Sequence, residues 1–222
     1  MSLRRETSRN FGDAVRIAGI AVATVTALLL VVLFFPPIRD RVFASSLWPW
    51  TLPNEVTTAQ VQALQRLAQP GDVIVETNMH FPQWVALSEV FTGSSWVHAA
   101  IVDDQKQLIT MEGKVTILPI SVYRSWRSTR VALIRPPYAT AQAMQKAIAH
   151  ARQQDGIAYD PSFRNPDASC TGVIAESLRC AGLVVSYRNI LNRHIYGADA
   201  FFKIPGVHVI WSSDPHIEHG AV

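Results

Sequence analysis

Ser94-Ser95-Trp96-Val97-His98-Ala99-Ala100-Ile101-Val102, followed after a polar turn at 103–107 by Leu108-Ile109-Thr110-Met111-Glu112-Gly113, is the stretch that decides the fold. Two apolar runs separated by a short polar segment read as a β-hairpin. Pairing Asp103 with Gln107 fixes the register, so that 101 faces 109, 99 faces 111 and 98 faces 112. His98 and Glu112 then stand directly across from each other, with Cβ atoms ~4.5–5.5 Å apart. Alone, such a pair is a satisfied polar contact at a sheet margin. Beside a nucleophile it becomes a general base and the carboxylate that orients it.

The candidate nucleophile lies further on, in Ser169-Cys170-Thr171-Gly172-Val173-Ile174. Ser169 is a good N-cap, which places Cys170 in the first turn of a helix over 170–181 closed by Gly182. Unpaired N–H groups and the helix dipole favour a thiolate there. The backbone N–H of Cys170 is also a natural oxyanion donor. A buried cysteine acting as a small hydrophobe is the common alternative. Cys180, amid Leu178, Ala181 and Leu183, fits that description better. A Cys170–Cys180 disulfide is excluded by the helix itself: ten residues rise ~15 Å, and a disulfide needs Cα atoms within ~7 Å.

Outward from these motifs, Thr57 or Thr58 caps a helix through Ala68, and Gln69-Pro70-Gly71-Asp72 breaks it before the strand Val73-Ile74-Val75. A short helix is expected around Trp84–Phe91. Thr116–Ile120 and Val131–Ile134 are further strands, and Thr140 caps a helix whose apolar face is Met144, Ala147, Ile148 and Ala151. Residues 183–222 carry only scattered apolar clusters. These elements predict an α+β body, a small antiparallel sheet packed with helices.

The N-terminal part is different in kind. Ile17–Phe35 is an uncharged apolar run stopped by Pro36-Pro37, roughly 28 Å long as a helix and close to the thickness of a bilayer core. Arg4, Arg5, Arg9 and Arg16 precede it, which puts the N-terminus inside. A cleaved signal peptide is the alternative, with Val42-Phe43-Ala44 as its site. The run is longer than the ~7–15 residues of a signal core, and the site lies beyond Arg39-Asp40-Arg41. The organisation expected is therefore a cytoplasmic segment 1–16, a transmembrane signal anchor 17–37, an interfacial linker 38–56 with Trp48 and Trp50, and an exported domain 57–222.

The formal charge of +3, from 20 basic and 17 acidic residues, sits entirely within residues 1–41. The body is neutral, with no basic excess to hold a phosphate backbone, so nucleic-acid binding is excluded as its role. His208, Asp214, His216, Glu218 and His219 lack a zinc-helix spacing and read as a solvated tail. Surface positions are expected for His150 and His194. The Arg124, Arg127, Arg130 and Trp126 stretch reads as a solvated basic-aromatic face.

Taken in order, Gly71-Asp72-Val73-Ile74, Ser-Ser-Trp-Val-His98, Glu112-Gly113, Gly156-Ile-Ala-Tyr159-Asp160 and Ser169-Cys170-Thr-Gly resemble the NlpC-type cysteine hydrolases. The resemblance is to their circularly permuted papain-like branch, the YiiX-like proteins, with lecithin–retinol acyltransferase as a distant relative. It covers roughly residues 70–212. The His-before-Cys order matches that branch, whereas Cys170-Thr171-Gly172 replaces its usual Cys-Ser-Glu. The resemblance implies Cys170 as nucleophile, His98 as base and then acid, Glu112 as the orienting residue and Tyr159 as a substrate contact. It implies neither metal nor organic cofactor. The implied activity is hydrolysis of a cell-wall peptide amide or an acyl bond. The anchor is not part of the resemblance, and it is the anchor that predicts a single-pass protein of a bacterial inner membrane with this domain facing the periplasm. The alternatives are a noncatalytic module that binds a cell-wall peptide or a lipid, and an acyltransferase.

Overall fold

The computed structural model describes residues 55–78, 85, 88–90, 92–160, 164–165, 168–190 and 192–214. The expected anchor and nearly all of the expected linker lie outside these residues. Among the described residues, no helix is long and apolar enough to cross a membrane.

Helix α1 (Thr58–Leu67) begins at a reciprocal cap. The Gln60 N–H donates to Thr57 Oγ1 at 3.2 Å, and the Thr57 N–H donates to Gln60 Oε1 at 2.8 Å. Four orphan donors open every helix, and this box satisfies two ends of that problem at once. Gly71 at φ 84 then turns the chain into β1 (Val73–Thr77). A Cβ at Gly71 would come within 2.4 Å of the Met144 side chain, so the turn needs glycine for space as well as for backbone angle.

The strands β2 (His98–Val102), β3 (Gln107–Glu112), β4 (Lys114–Pro119), β5 (Arg130–Arg135) and β8 (His208–Ser212) join β1 in one antiparallel sheet of order β4-β3-β2-β1-β5-β8. Between β4 and β5 lies the single turn α2 (Val122–Ser125). After β5 come α3 (Ala141–Gln153), capped by Thr140, and α4 (Cys170–Cys180), capped by Ser169. A small hairpin, β6 (Arg188–Ile190) with β7 (Arg193–Ile195), and a 3-10 helix at Ala198–Lys203 precede β8. These tail elements escaped the sequence reading because they are short and half-exposed. The helix expected near 84–91 is visible in its described residues 85, 88–90 and 92.

Both faces of the sheet are covered. Val73, Val75, Ala99, Ile101, Ala132 and Ile134 pack with α3, α4 and Phe201 on one side. Ile74, Ala100, Val102, Leu108, Val131 and Leu133 pack with α1, Tyr123 and Val56 on the other. Every residue of β1 and β2 is consequently buried, as near-continuous apolar strands should be. Each large aliphatic side chain in these layers contributes roughly 1.5–3 kcal/mol by leaving water. Val56 also belongs here, its N–H bonded to the Ser128 carbonyl at 2.8 Å. Val56 thus packs with the domain.

The hairpin register is the expected one at its turn, with Ile101 opposite Ile109 and the Asp103 N–H on the Gln107 carbonyl. The paired ladder runs only from Val102↔Leu108 to Ala100↔Thr110. The pairing of 98 with 112 is not part of it. Asp103 holds the turn: its buried Oδ1 accepts the Gln105 and Gln107 N–H groups at 2.8 Å each, and Arg152 donates to Oδ2 at 2.8 Å. Hydrogen bonds to a charged acceptor are worth ~1.5–3 kcal/mol apiece, so Asp103→Ala should lose about 3 kcal/mol. The Arg152 side chain is 37% exposed, and Arg152→Ala also admits water to the carboxylate, so it should cost at most about 1 kcal/mol. Urea unfolding of the two variants measures the difference; equal losses would contradict the assignment of the turn to Asp103.

Candidate active site

At one end of the sheet β1 finishes, β2 begins and β3 finishes. Glu76, His98 and Glu112 therefore gather there, while Cys170 opens the helix that covers the opposite face. Strand alternation puts Glu76 and His98 on the α2 side with Ile74 and Ala100. Cα pairing sets Glu76 directly opposite His98. The His98 ring meets Trp126 edge-on, with centroids 5.5 Å apart. Its Nε2 lies 2.6 Å from Thr110 Oγ1 and 3.9 Å from Glu112 Oε1. Glu112 thus stands beside the imidazole, but the hydrogen-bond partner is Thr110. The expected direct facing of residues 98 and 112 is corrected here: the ladder ends at Thr110, and the ring leans toward that residue.

Ser169 Oγ accepts the Gly172 N–H at 3.1 Å and its carbonyl accepts that of Val173. The N–H groups of Cys170 and Thr171 are left facing the sulfur. The Cys170 thiol donates to the Val97 carbonyl at 3.6 Å, one residue from His98. No hydrogen bond joins thiol and imidazole. Thr171 Oγ1 donates to the Tyr196 carbonyl at 2.6 Å and fixes the helix start to the tail. Tyr159 enters from the loop before α4, its N–H on the Gly113 carbonyl at 2.8 Å, just past Glu112. Burial, then the charge that Cys170 would carry, push its phenol up to about 12.

Burial governs the protonation states. It pushes the Cys170 thiol up to about 11, against the downward pull of the Thr171 and Cys170 N–H groups. The expected thiolate is thereby corrected: desolvation outweighs the helix terminus. Burial lowers His98 to about 4. Glu76 is raised to about 7 by burial, despite a short hydrogen bond from Ser128 Oγ. Glu112, half-exposed, is also shifted up by burial. The resting pair is a neutral thiol and a neutral imidazole. The roles of the two cysteines are also corrected: Cys180 is exposed and Cys170 half-buried, both unbridged. Cys180 falls on the outer side of the last turn, a face that the apolar neighbours in its sequence do not reveal.

Three polar residues at this end went unremarked in the sequence. Glu76 was signalled only by a charge closing the run Val-Ile-Val, and Thr110 only by a hydroxyl two residues before Glu112 on the same strand face. Ser128 had no signal. In the basic-aromatic stretch Arg124 and Arg127 are exposed, as a solvated face requires, and each residue also has a partner within the chain. Arg124 and Arg127 hold Glu55 at 3.2 and 2.6 Å, Arg130 pairs with Asp214 at 3.1 Å and lies over the Trp96 ring, and Trp126 packs on His98. His150 is half-buried, 3.1 Å from Ser177 Oγ, whereas His194 is exposed and stacks on Tyr187.

A solved structure, the metalloprotein YiiX from Escherichia coli O157:H7, shares this architecture with a TM-score of 0.58 at 17% identity, covering 67% of this chain and 99% of that one. The fold is YiiX-like. The relationship is distant, and at this identity it concerns the fold alone. No protein-family model matches the sequence, and no curated protein does. Among the described residues of this YiiX-like domain, no group of three or more His, Cys, Asp or Glu side chains could hold a metal ion. The residues at the site therefore do not fit a metal centre; His216, Glu218 and His219 lie outside the described residues.

Glu76 and His98 make opposite contributions to stability with pH. The carboxyl is raised from 4.5 to about 7, so the unfolded chain loses this proton first and stability falls as pH rises across that interval. The imidazole is lowered from 6.5 to about 4, so the unfolded chain gains a proton first and stability falls as pH drops across that interval. The two slopes offset each other where the intervals overlap. Relative to wild type, Glu76→Gln should gain stability as pH rises from 4.5 to 7 and His98→Gln should gain it as pH falls from 6.5 to 4. Denaturant midpoints across that range check both signs, and parallel profiles for all three proteins would refute the shifts.

Proposed function

We propose that the protein is a thiol hydrolase of the circularly permuted papain-like, NlpC-type class, acting on a peptide amide or an acyl bond. The observation that carries this is the Cys170 sulfur at a helix start, against the carbonyl of the residue preceding His98. Around the start of β2, where the sulfur reaches the Val97 carbonyl, His98 takes the thiol proton as sulfur attacks the substrate carbonyl carbon. The Cys170 N–H, with that of Thr171, receives the developing oxyanion. His98 then returns the proton to the leaving amine or alcohol, and water releases the acyl group from sulfur by the reverse sequence. Glu112 supports the imidazolium that forms between these steps, and Tyr159 borders the substrate. Acyl transfer would share every step up to the acceptor. The proposed substrates are cell-wall-type peptides or acyl lipids, and the proposed setting is the periplasmic side of an inner membrane, held there by residues 17–35.

A noncatalytic binding module on the same fold is the second reading. It is favoured by the thiol at about 11 and by a sulfur bonded to Val97 rather than to His98. Intact-mass labelling with a thiol-reactive acyl probe separates the two. Under the hydrolase reading, in a Cys180→Ser background that removes the exposed thiol, the protein acquires one adduct, Cys170→Ala acquires none, and His98→Ala reacts ~10²–10⁴-fold more slowly. A neutral imidazole persists down to about pH 4, so the acid limb of acylation should fall near 4 instead of near 6.5. Indifference to His98 would move the assignment to the binding module. Iodoacetamide at neutral pH should mark the exposed Cys180 before Cys170; the reverse order would show a thiol already ionised at rest.

A further inference from the structure

His98 Nε2 lies 2.6 Å from Thr110 Oγ1, and Thr110 Oγ1 lies 3.0 Å from the Ala99 carbonyl oxygen. A hydroxyl has one proton to donate. The Ala99 carbonyl can only accept, so that proton goes to it. Oγ1 then turns a lone pair toward Nε2, which must carry the ring proton. The opposite assignment would give up the bond from Oγ1 to the Ala99 carbonyl and put the proton on Nδ1, which has no hydrogen-bond partner among the described residues. Thr110 is fully buried, so no solvent competes for either bond. The tautomer of an imidazole is set by what its other nitrogen touches.

We infer that Thr110 is a positioning residue that holds His98 in the Nε2–H tautomer and so presents Nδ1 as the basic nitrogen. The inference rests on the thiol-hydrolase reading for its consequence and on the hydrogen-bond geometry alone for the tautomer. It assigns the steps to atoms. The proton leaves Cys170 Sγ for Nδ1 while the sulfur–carbon bond forms, and it leaves Nδ1 for the departing group as the scissile bond breaks. Nε2–H stays on Thr110 throughout, and the Glu112 carboxylate, 3.9 Å away, meets the charge while it exists. Thr110 touches neither substrate nor sulfur.

Long-range nitrogen NMR of the His98 ring in the full chain, held in detergent, reads the tautomer directly at pH 7. Wild type and Thr110→Ser should both show the proton on Nε2, and Thr110→Val should show a mixture or a shift to Nδ1. Acylation of Cys170 by the same acyl probe should slow about 10–100-fold in Thr110→Val, the range typical of lost second-sphere support, and should recover in Thr110→Ser. A wild-type ring protonated on Nδ1 would overturn the inference without any variant, so a failure of Thr110→Val to fold does not protect it. A Thr110→Val protein that keeps both the wild-type tautomer and the wild-type acylation rate would overturn it as well. Wild-type Cys170 that never acylates in a His98-dependent way would instead remove the hydrolase reading, and the tautomer would still decide the part played by Thr110.

Discussion

The pairing of β2 between β1 and β3 is the constraint on which the candidate site depends. Because β2 is central, its first residue has neighbours on both sides: Glu76 across one ladder and Thr110 diagonally across the other. Because the sheet is covered on both faces, these side chains meet in a desolvated space rather than at an open margin. Trp126 closes the space over the His98 ring. It is held from below by a loop that Glu55 pins through Arg124 and Arg127. Loosening any of these would let water reach the imidazole and change its basicity before it changed the fold.

That desolvation has a consistent electrostatic result. A buried carboxyl keeps its proton, a buried imidazole refuses one, and a half-buried thiol stays protonated even at a helix N-terminus. Charge separation is disfavoured at rest. A thiol chemistry in this setting would move its proton during attack instead of starting from an ion pair. Preorganised donors then matter more than a preformed thiolate, and the two open N–H groups at the start of α4 are such donors. The Val97 carbonyl, which takes the thiol proton in the resting arrangement, is the local competitor that a bound substrate would have to displace.

The helices and strands could be read from the chain wherever a single physical rule was strong. Caps at Thr57, Thr140 and Ser169, breaks at Gly71, Gly113 and Gly182, and apolar runs at Val73, His98 and Val131 each mark an element that the structure contains. The tail was opaque because β6, β7 and the 3-10 helix are three to six residues long. No periodicity develops over that length, and their stability comes from tertiary contact such as Thr171 with the Tyr196 carbonyl.

By itself the sequence determined the α+β composition, the hairpin turn at Asp103, the helix that begins at Cys170 and the impossibility of its bridging to Cys180. All are local: they follow from side-chain preference, turn geometry and helical rise over a few residues. Only the tertiary structure decided that Thr110 rather than Glu112 bonds His98, that Glu76 joins them, that Trp126 is a wall and that Cys180 is the exposed thiol. Those outcomes depend on which strand lies beside which and on how much water each group loses. Burial then reversed the ionisation that the helix terminus favoured for Cys170, because desolvation belongs to the packed whole and has no signature in a stretch of ten residues.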